Sequence, residues 1–171
     1  MTAFDTAWAL MKMPIVPGSM KQGKEPNSYS AKFRDPVSQE EMDMQAHWIN
    51  FPSETGNEYW KSGEIKAGIK HPAVDDAPKK QTWREFSGET KNRANAHFGD
   101  DDGENNSDFF SYGTGVDEEY QRRGYATALY DLVARILHEE GEYRLTPSTG
   151  LNEMSRGLWD DKESWPVRDD L

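Results

Sequence analysis

The sequence predicts a mixed α/β domain, and neighbouring stretches in its C-terminal half lead to that class. Residues 108–116 carry aromatic side chains and end on Val116, which predicts a strand. Residues 123–139 predict a long amphipathic helix, because apolar residues recur there at helical spacing. These apolar residues are Leu129, Leu132, Val133, Ile136 and Leu137. Residues 143–146 predict a second strand and residues 152–160 a shorter helix, and a helix that joins parallel strands implies a right-handed crossover.

The turn between the first strand and the long helix predicts an anion site. It is polar and contains Gly124, which opens the helix. The first backbone N–H groups of a helix have no acceptor inside the helix, and the helix dipole is positive at that end. A strand, a glycine-containing turn and a helix N-terminus together therefore suit a phosphate group.

Residues 121–126 read Gln-Arg-Arg-Gly-Tyr-Ala. This segment resembles the Gln/Arg-x-x-Gly-x-Gly/Ala signature of the GNAT family of N-acetyltransferases. Its flanks are similar too, because Val116 stands where the family closes its fourth strand and Leu129 where the next helix carries a leucine. The resemblance covers residues 108–159.

This resemblance implies a twisted mixed sheet with flanking helices, whose fourth and fifth strands splay around acetyl-coenzyme A (acetyl-CoA), the family's cosubstrate. In the family the turn amides hold the pyrophosphate and the end of the fourth strand lies along the pantetheine arm. The cofactor-binding residues implied here are Val116, Gln121, Arg122, Arg123, Gly124, Tyr125, Ala126, Thr127 and Asn152. The two arginines have a second interpretation, in which they pair with the surface carboxylates at positions 117–119.

The second half of the site departs from the family. Its last helix carries Asn-x-x-Ala-x-x-Leu-Tyr, whereas residues 152–159 keep the Asn, a small residue and the Leu but end on Trp159. In many members that Tyr protonates the leaving thiolate, which an indole N–H cannot do. Trp159 is a core residue, or another residue supplies the proton, or the protein binds an acyl-CoA without efficient transfer. The candidate catalytic residues are Tyr112 and Ser148, with Thr146 as a further hydroxyl.

No general base stands out in the sequence. The carboxylates nearest to the predicted strand are Asp108, Asp117 and Glu118, and each is explained as well by a solvated loop. The four histidines are scattered along the chain.

The resemblance implies transfer of an acetyl group from acetyl-CoA to a primary amine of an unidentified acceptor, either a small molecule or a protein. The alternative function is a non-catalytic binding or assembly protein built on the same fold. Trp159 and the missing base favour that alternative. An unusual composition with few motifs is also common among small virus-encoded proteins.

Composition limits the partners. The formal net charge of −11 argues against a nucleic-acid backbone, which needs a basic face. A solvated acidic surface is the first explanation of this charge, and among acceptors it favours a cationic one over tRNA. The absence of cysteine excludes disulfides, cysteine zinc sites and a cysteine nucleophile. The early acidic residue Asp5 and the lack of a basic leader or a bilayer-length apolar run predict a cytoplasmic protein without membrane contact.

The N-terminal half gives weaker signals. Residues 4–13 predict a short helix with Phe4, Trp8 and Met11 on one side, which would dock on its own domain or on a partner subunit and is compatible with a homodimer. Residues 14–36 are rich in Pro, Gly, Ser, Lys and Asn and predict an extended arm.

Residues 38–49 predict a helix. Ser38 and Glu41 fit a capping box, and Met42, Gln45 or Ala46, and Ile49 form a weak stripe.

Further strands are expected in the middle of the chain. Residues 58–60 and 64–70 predict a hairpin, and residues 81–86 and 93–98 predict strands polar enough for sheet edges. The acidic loop 99–107 does not have EF-hand spacing, which favours a solvated loop over a metal site.

The acidic tail, residues 161–171, is expected to pack only through Trp165. The chain is accordingly divided into an N-terminal helix and arm at 1–36, a GNAT-like domain at 37–165 and a tail at 166–171.

Overall fold

The computed structural model describes residues 14–49, 63–72, 92–100, 108–141, 143–148 and 153–171. The strands are β1 (Lys21–Gln22), β2 (Ser28–Arg34), β3 (Glu41–Ile49), β4 (Glu64–Lys70), β5 (Asn92–Asp100), β6 (Asp108–Val116) and β7 (Arg144–Leu145). The helices are α1 (Tyr125–Gly141) and α2 (Glu153–Trp159), and a 3-10 turn spans Glu118–Tyr120. The strand predicted at 108–116 and both predicted C-terminal helices are confirmed.

The strands form one sheet in the order in which they follow along the chain. Neighbours from β1 to β6 are antiparallel, and β6 and β7 are parallel. This mixed sheet with flanking helices confirms the predicted α/β class. No helix in the described ranges is long and apolar enough to cross a membrane.

One face of the sheet packs against α1, which contacts β2, β4, β5, β6 and β7. The five residues of the predicted apolar stripe on α1 are all 0% exposed, which confirms the predicted helical period. The facing strand residues alternate with polar ones, as expected for a sheet with one buried face. They include Phe33, Met44, Ile65, Ala96 and Phe98.

Two predictions for the N-terminal half are wrong. Residues 41–49 form β3 and not a helix, because Met42, Met44, Ala46 and Trp48 are buried in alternation. Residues 28–34, placed in the extended arm, form β2, whose Ala31 and Phe33 face the core. β1 and β2, which precede residue 37 in the sequence, are therefore part of the sheet. The division of the chain into three parts stays a prediction.

Two further expectations need correction. β5 is not an edge strand, because it pairs with β4 on one side and β6 on the other. The tail packs through more than Trp165, since Leu171 is 7% exposed and Arg168 pairs with the buried Asp131. The predicted elements at 4–13, 58–60 and 81–86 lie outside the described residues, as does most of the acidic loop.

Candidate functional site

The central feature of the site is a bulge in β6. Phe98 of β5 pairs with Ser111 and His97 pairs with Gly113, so Tyr112 is the extra residue of the bulged strand. Bulges bend a strand and change the direction of its edge. Thr114 after the bulge keeps its side chain on the helix side, where its hydroxyl reaches Tyr130 of α1.

Beyond its first residues, β6 has no strand neighbour on its second edge among the residues that the structure describes. β7 pairs only with Asp108 and Phe109, and the backbone N–H of Thr146 adds one bond to the Phe109 carbonyl. The edge of β6 from Ser111 onward therefore faces a gap between the two parallel strands. A Cβ atom placed on Gly113 or Gly115 would meet no atom within 4 Å.

The turn from β6 into α1 has an unusual backbone. Arg122 has φ 62° and Gly124 has φ 86°, the left-handed region that glycine adopts most readily. The side-chain amide of Gln121 donates to the carbonyl of Val116 at 3.1 Å and closes the turn. No acidic residue lies in the first turn of α1, so its N–H groups and positive dipole end are available to an anion.

The gap and the turn form one cleft of about 780 Å³. It runs from the turn along the free edge of β6 to α2. The predicted site residues in its wall are Tyr112, Val116, Gln121, Arg122, Gly124, Tyr125, Ala126, Thr127 and Ser148. Of the remaining two, Arg123 does not line the cleft and Asn152 lies outside the described residues.

A match to a family model decides how this geometry is interpreted. The model is described as the acetyltransferase (GNAT) family, and it matches residues 27–161. The chain belongs to the GNAT family. No curated protein and no solved structure matches the chain. The family supports an acetyltransferase-type function in general, and the matched range includes β2 and β3 as well as the segment that carries the predicted signature.

A chain of hydroxyl groups lines the GNAT cleft next to the bulge. Ser111 Oγ and Thr114 Oγ1 lie 3.0 Å apart, and Thr114 Oγ1 and the Tyr130 hydroxyl lie 3.1 Å apart. The Tyr130 side chain is 3% exposed and packs against Phe98 and Trp159. Tyr130 is not among the residues predicted for the site, because its position beside the apolar stripe of α1 gives no sign that its hydroxyl reaches β6.

Trp159, which replaces the family's tyrosine, forms part of the cleft wall. It is 3% exposed, and its ring lies 5.9 Å from the Tyr130 ring and 5.3 Å from the Trp165 ring, measured between centroids. This packing confirms the interpretation of Trp159 as a core residue. The indole does not plug the cleft, which remains open to the turn.

The two candidate catalytic residues both border the cleft, in different settings. Tyr112 is 62% exposed, and its hydroxyl donates to the carbonyl of Asp100 at 2.9 Å while its ring covers Gly99. Ser148 lies at the opposite wall, beyond β7. The third hydroxyl, Thr146, donates to the Phe109 carbonyl at 3.3 Å and does not line the cleft.

Arg123 faces away from the cleft toward a buried acid. Its guanidinium lies 3.3 Å from Asp35 Oδ2, a partner that neither interpretation of this arginine included. Tyr125 donates to the same oxygen at 2.6 Å. Burial raises the pKa of Tyr125 first, and the hydrogen bond to Asp35 raises it further. Asp35 thus holds the turn by hydrogen bonds on the side away from the cleft.

Proposed function

We propose that this protein is an acetyl-CoA-dependent N-acetyltransferase that acts on a primary amine. The observation that carries the proposal is the cleft between β6 and β7, which opens at its mouth onto the N-terminus of α1. Acetyl-CoA would supply an activated acetyl thioester there. The chain's own residues would bind it, orient it and move protons.

The turn suits a pyrophosphate. The first N–H groups of α1 lack acceptors inside the helix, and the positive φ angles of Arg122 and Gly124 shape the preceding loop. Arg122 is exposed and lines the cleft, so its forked donors can reach a phosphate at the cleft mouth. Together these groups supply backbone donors, a helix dipole and one mobile cation.

The edge of β6 suits an extended amide-containing arm. Its backbone groups beyond Phe109 face the cleft and not a strand, so a pantetheine arm can add to this edge as a short strand would. A β6 backbone N–H at the Tyr112 bulge would polarise the thioester carbonyl. Holding both substrates in line would supply much of the rate enhancement.

Tyr130 is the proton donor that we propose for the leaving thiolate. Its hydroxyl lies in the cleft wall at the bulge and is linked through Thr114 to Ser111. When the C–S bond breaks, the Tyr130 O–H would pass its proton to sulfur. The Ser111 and Thr114 hydroxyls would then relay a proton from solvent back to Tyr130, each giving up one proton as it receives another. Tyr112 and Ser148 remain alternatives, although the Tyr112 proton is already engaged by Asp100.

The acceptor is proposed to react as the free amine. Among the described side chains that line the cleft, none is Asp, Glu or His. Deprotonation of the ammonium would then fall to water before the amine attacks the thioester.

Calorimetric titration with acetyl-CoA tests the binding step. The wild-type protein should bind, and Arg122→Glu should weaken binding about tenfold or more by reversing a charge at the cleft mouth. Arg156→Glu reverses an exposed charge on α2 that does not line the cleft, and it should bind like the wild type. Absence of binding up to about 1 mM acetyl-CoA would rule out the cosubstrate.

Release of free coenzyme A tests transfer. Because the chain has no cysteine, a thiol-reactive dye reports only the released coenzyme. An amine panel that gives amine-dependent thiol release, with the acetylated product seen by mass spectrometry, supports the enzyme.

A second candidate is a GNAT-fold protein that binds acetyl-CoA without efficient transfer. The indole at position 159, buried where the family carries a phenol, is the observation that favours it. Tight binding with no thiol release across the amine panel would support this candidate and reject the enzyme.

A further inference from the structure

The carboxylate of Asp35 lies behind the coenzyme turn and is 0% exposed. Asp35 follows β2, and its Oδ1 accepts the backbone N–H groups of Val37 at 2.8 Å and Ser38 at 3.1 Å. Its Oδ2 accepts the Tyr125 hydroxyl at 2.6 Å and the Arg123 guanidinium at 3.3 Å. Oδ1 therefore binds the backbone that follows β2, and Oδ2 binds side chains at the turn before α1.

These bonds keep Asp35 ionised inside the protein. Burial by itself raises the pKa of a carboxyl group, but the bonds from Tyr125, Val37, Ser38 and Arg123 outweigh it and lower the pKa of Asp35 below its ordinary value. A buried charge is tolerated only when its hydrogen-bonding capacity is filled in this way. The partners of Asp35 are accordingly held to fixed positions.

The two side chains held by Oδ2 flank Gly124 in the sequence. Arg93 of β5 fastens the same turn from another side: its guanidinium donates to the Tyr125 hydroxyl at 3.2 Å and stacks over the Tyr120 ring at 4.0 Å. Tyr120 and Tyr125 also border the cleft, whereas Asp35 and Arg93 do not. The backbone that carries the anion-binding N–H groups is thus fixed by buried groups on its far side.

We propose that Asp35 is a positioning residue that sets the conformation of the turn at residues 121–127 and, through it, the affinity for the pyrophosphate of the coenzyme. This inference rests on the proposed function for the identity of the ligand. Asp35 touches neither the cleft nor the reacting atoms, so its loss acts on coenzyme binding and not on the chemical step.

Asp35→Asn keeps the bonds that Oδ1 accepts and removes those that Oδ2 accepts. The single remaining carbonyl oxygen can still accept from Val37 and Ser38, while the amide NH2 cannot accept from Tyr125 or Arg123. We expect the Kd for acetyl-CoA to rise about tenfold, with kcat at saturating acetyl-CoA changed by less than about twofold. Asp43→Asn is the matched control, because Asp43 is an exposed aspartate on the neighbouring β3 that pairs with Lys32.

A second measurement needs no ligand. Trypsin cleaves after arginine, so site-resolved mass spectrometry of limited digests reports the accessibility of the bonds after Arg122 and Arg123. In Asp35→Asn the turn can open without breaking bonds to Asp35 Oδ2, so it should open more often. Cleavage after Arg122 and Arg123 should therefore rise several-fold over the wild type, and more than cleavage at other sites. Tyr125→Phe removes the same interaction from the other side and should raise cleavage at the same bonds.

The outcomes separate the two proposals. If the wild type does not bind acetyl-CoA, the proposed cosubstrate is wrong, yet selective cleavage at Arg122 and Arg123 in Asp35→Asn would still support the positioning role. Unchanged cleavage at these bonds overturns that role, as does a uniform increase at every site, which reports general destabilisation. Tight wild-type binding with an unchanged Kd in Asp35→Asn overturns the link to the coenzyme.

Discussion

The Tyr130 hydroxyl lies 3.1 Å from Thr114 Oγ1, so the long helix and the bulged strand meet through two hydroxyl groups at the cleft wall. Trp159 packs against the Tyr130 ring. The chain thus has an indole where many family members carry a phenol, and a different phenol beside it. In the proposed enzyme, the Tyr130 phenol would supply the proton that an indole at position 159 cannot.

Tyr130→Phe tests the proposed proton donor. The ring that packs on Phe98 and Trp159 is retained, so we expect kcat to fall about 100-fold while the KM for acetyl-CoA stays within about twofold. The lost hydroxyl contact should lower the free energy of unfolding by about 1 kcal/mol. Steady-state kinetics and thermal unfolding measure the two effects.

Comparison variants decide whether the loss is specific to Tyr130. Tyr143→Phe removes a hydroxyl outside the cleft wall and should leave kcat unchanged. A larger loss in Tyr112→Phe or Ser148→Ala than in Tyr130→Phe would move the donor role to that residue. Trp159→Tyr restores the family's residue, and full recovery of activity in Trp159→Tyr/Tyr130→Phe would show that a phenol at position 159 can replace Tyr130.

Gly124→Ala tests the turn backbone. At φ 86° an alanine is strained by about 1–2 kcal/mol, and relief of that strain moves the N–H groups that face the proposed pyrophosphate. We expect a lower melting temperature and weaker acetyl-CoA binding. Gly18→Ala is the matched control: Gly18 has φ 73°, and an added Cβ there meets no atom within 4 Å. It should lower stability similarly and leave binding unchanged.

If Gly18→Ala and Gly124→Ala weaken binding equally, the loss reports stability alone. The turn would then not be the anion site.

The fold was predictable where one period dominates the sequence. On α1 the apolar stripe of Leu129, Leu132, Val133, Ile136 and Leu137 has the spacing of a helix and not of a strand, and the segment is a helix. On β3, Met42 and Ala46 are four apart, a spacing that fits a helix and also a strand, since four is a multiple of two. Met44 and Trp48 are buried as well, and with Met42 and Ala46 they show the period of two that identifies a strand. Ser38 does not cap a helix; its hydroxyl accepts the backbone N–H of Glu40 at 3.3 Å in a turn.

Strand order was beyond the reach of local patterns. Asn95 and His97 made β5 resemble an edge strand, but they lie on the face away from the core, while Ala94, Ala96 and Phe98 are buried. Polarity of one face does not reveal whether both edges are paired. That depends on β4 and β6, which come from other parts of the chain.

The candidate site was predictable where it depends on backbone geometry. The turn residues follow from a glycine and a helix N-terminus, both visible in the sequence. Asp35 was not identifiable, because its partner Tyr125 lies 90 residues away and its own segment was assigned to an arm. An aspartate before a proline at a turn was the one local signal that it had a structural role.

The pH dependence of transfer should follow the acceptor. With no Asp, Glu or His among the described residues that line the cleft, kcat/KM should rise about tenfold per pH unit until the acceptor's own pKa is reached. An α-amino acceptor, with a pKa of about 8, should level off well before a lysine ε-amine, with a pKa of about 10.4. A break at one common pH for both acceptors would instead identify a protein group as the base.

Two buried aspartates should give opposite pH dependences of stability. Asp131 of α1 accepts the Trp165 indole N–H at 2.8 Å and pairs with Arg168 at 3.3 Å. Burial raises the pKa of Asp131, and these two partners only partly offset the rise. For Asp35 the hydrogen bonds prevail over burial and lower the pKa.

The signs follow from proton linkage. A raised folded-state pKa gives Asp131 a stabilising contribution that is complete below the unfolded pKa of about 3.9 and is lost as pH rises through the folded pKa. The stability of Asp131→Asn relative to the wild type should therefore improve from about pH 4 to about pH 7. The lowered folded-state pKa gives Asp35 a contribution that is complete above the unfolded pKa of about 3.9 and is lost as pH falls through the folded pKa, so Asp35→Asn should become relatively less stable as the pH rises from acid to about pH 5. Denaturant unfolding at several pH values measures both trends, and parallel slopes would contradict the opposite roles of the two carboxylates.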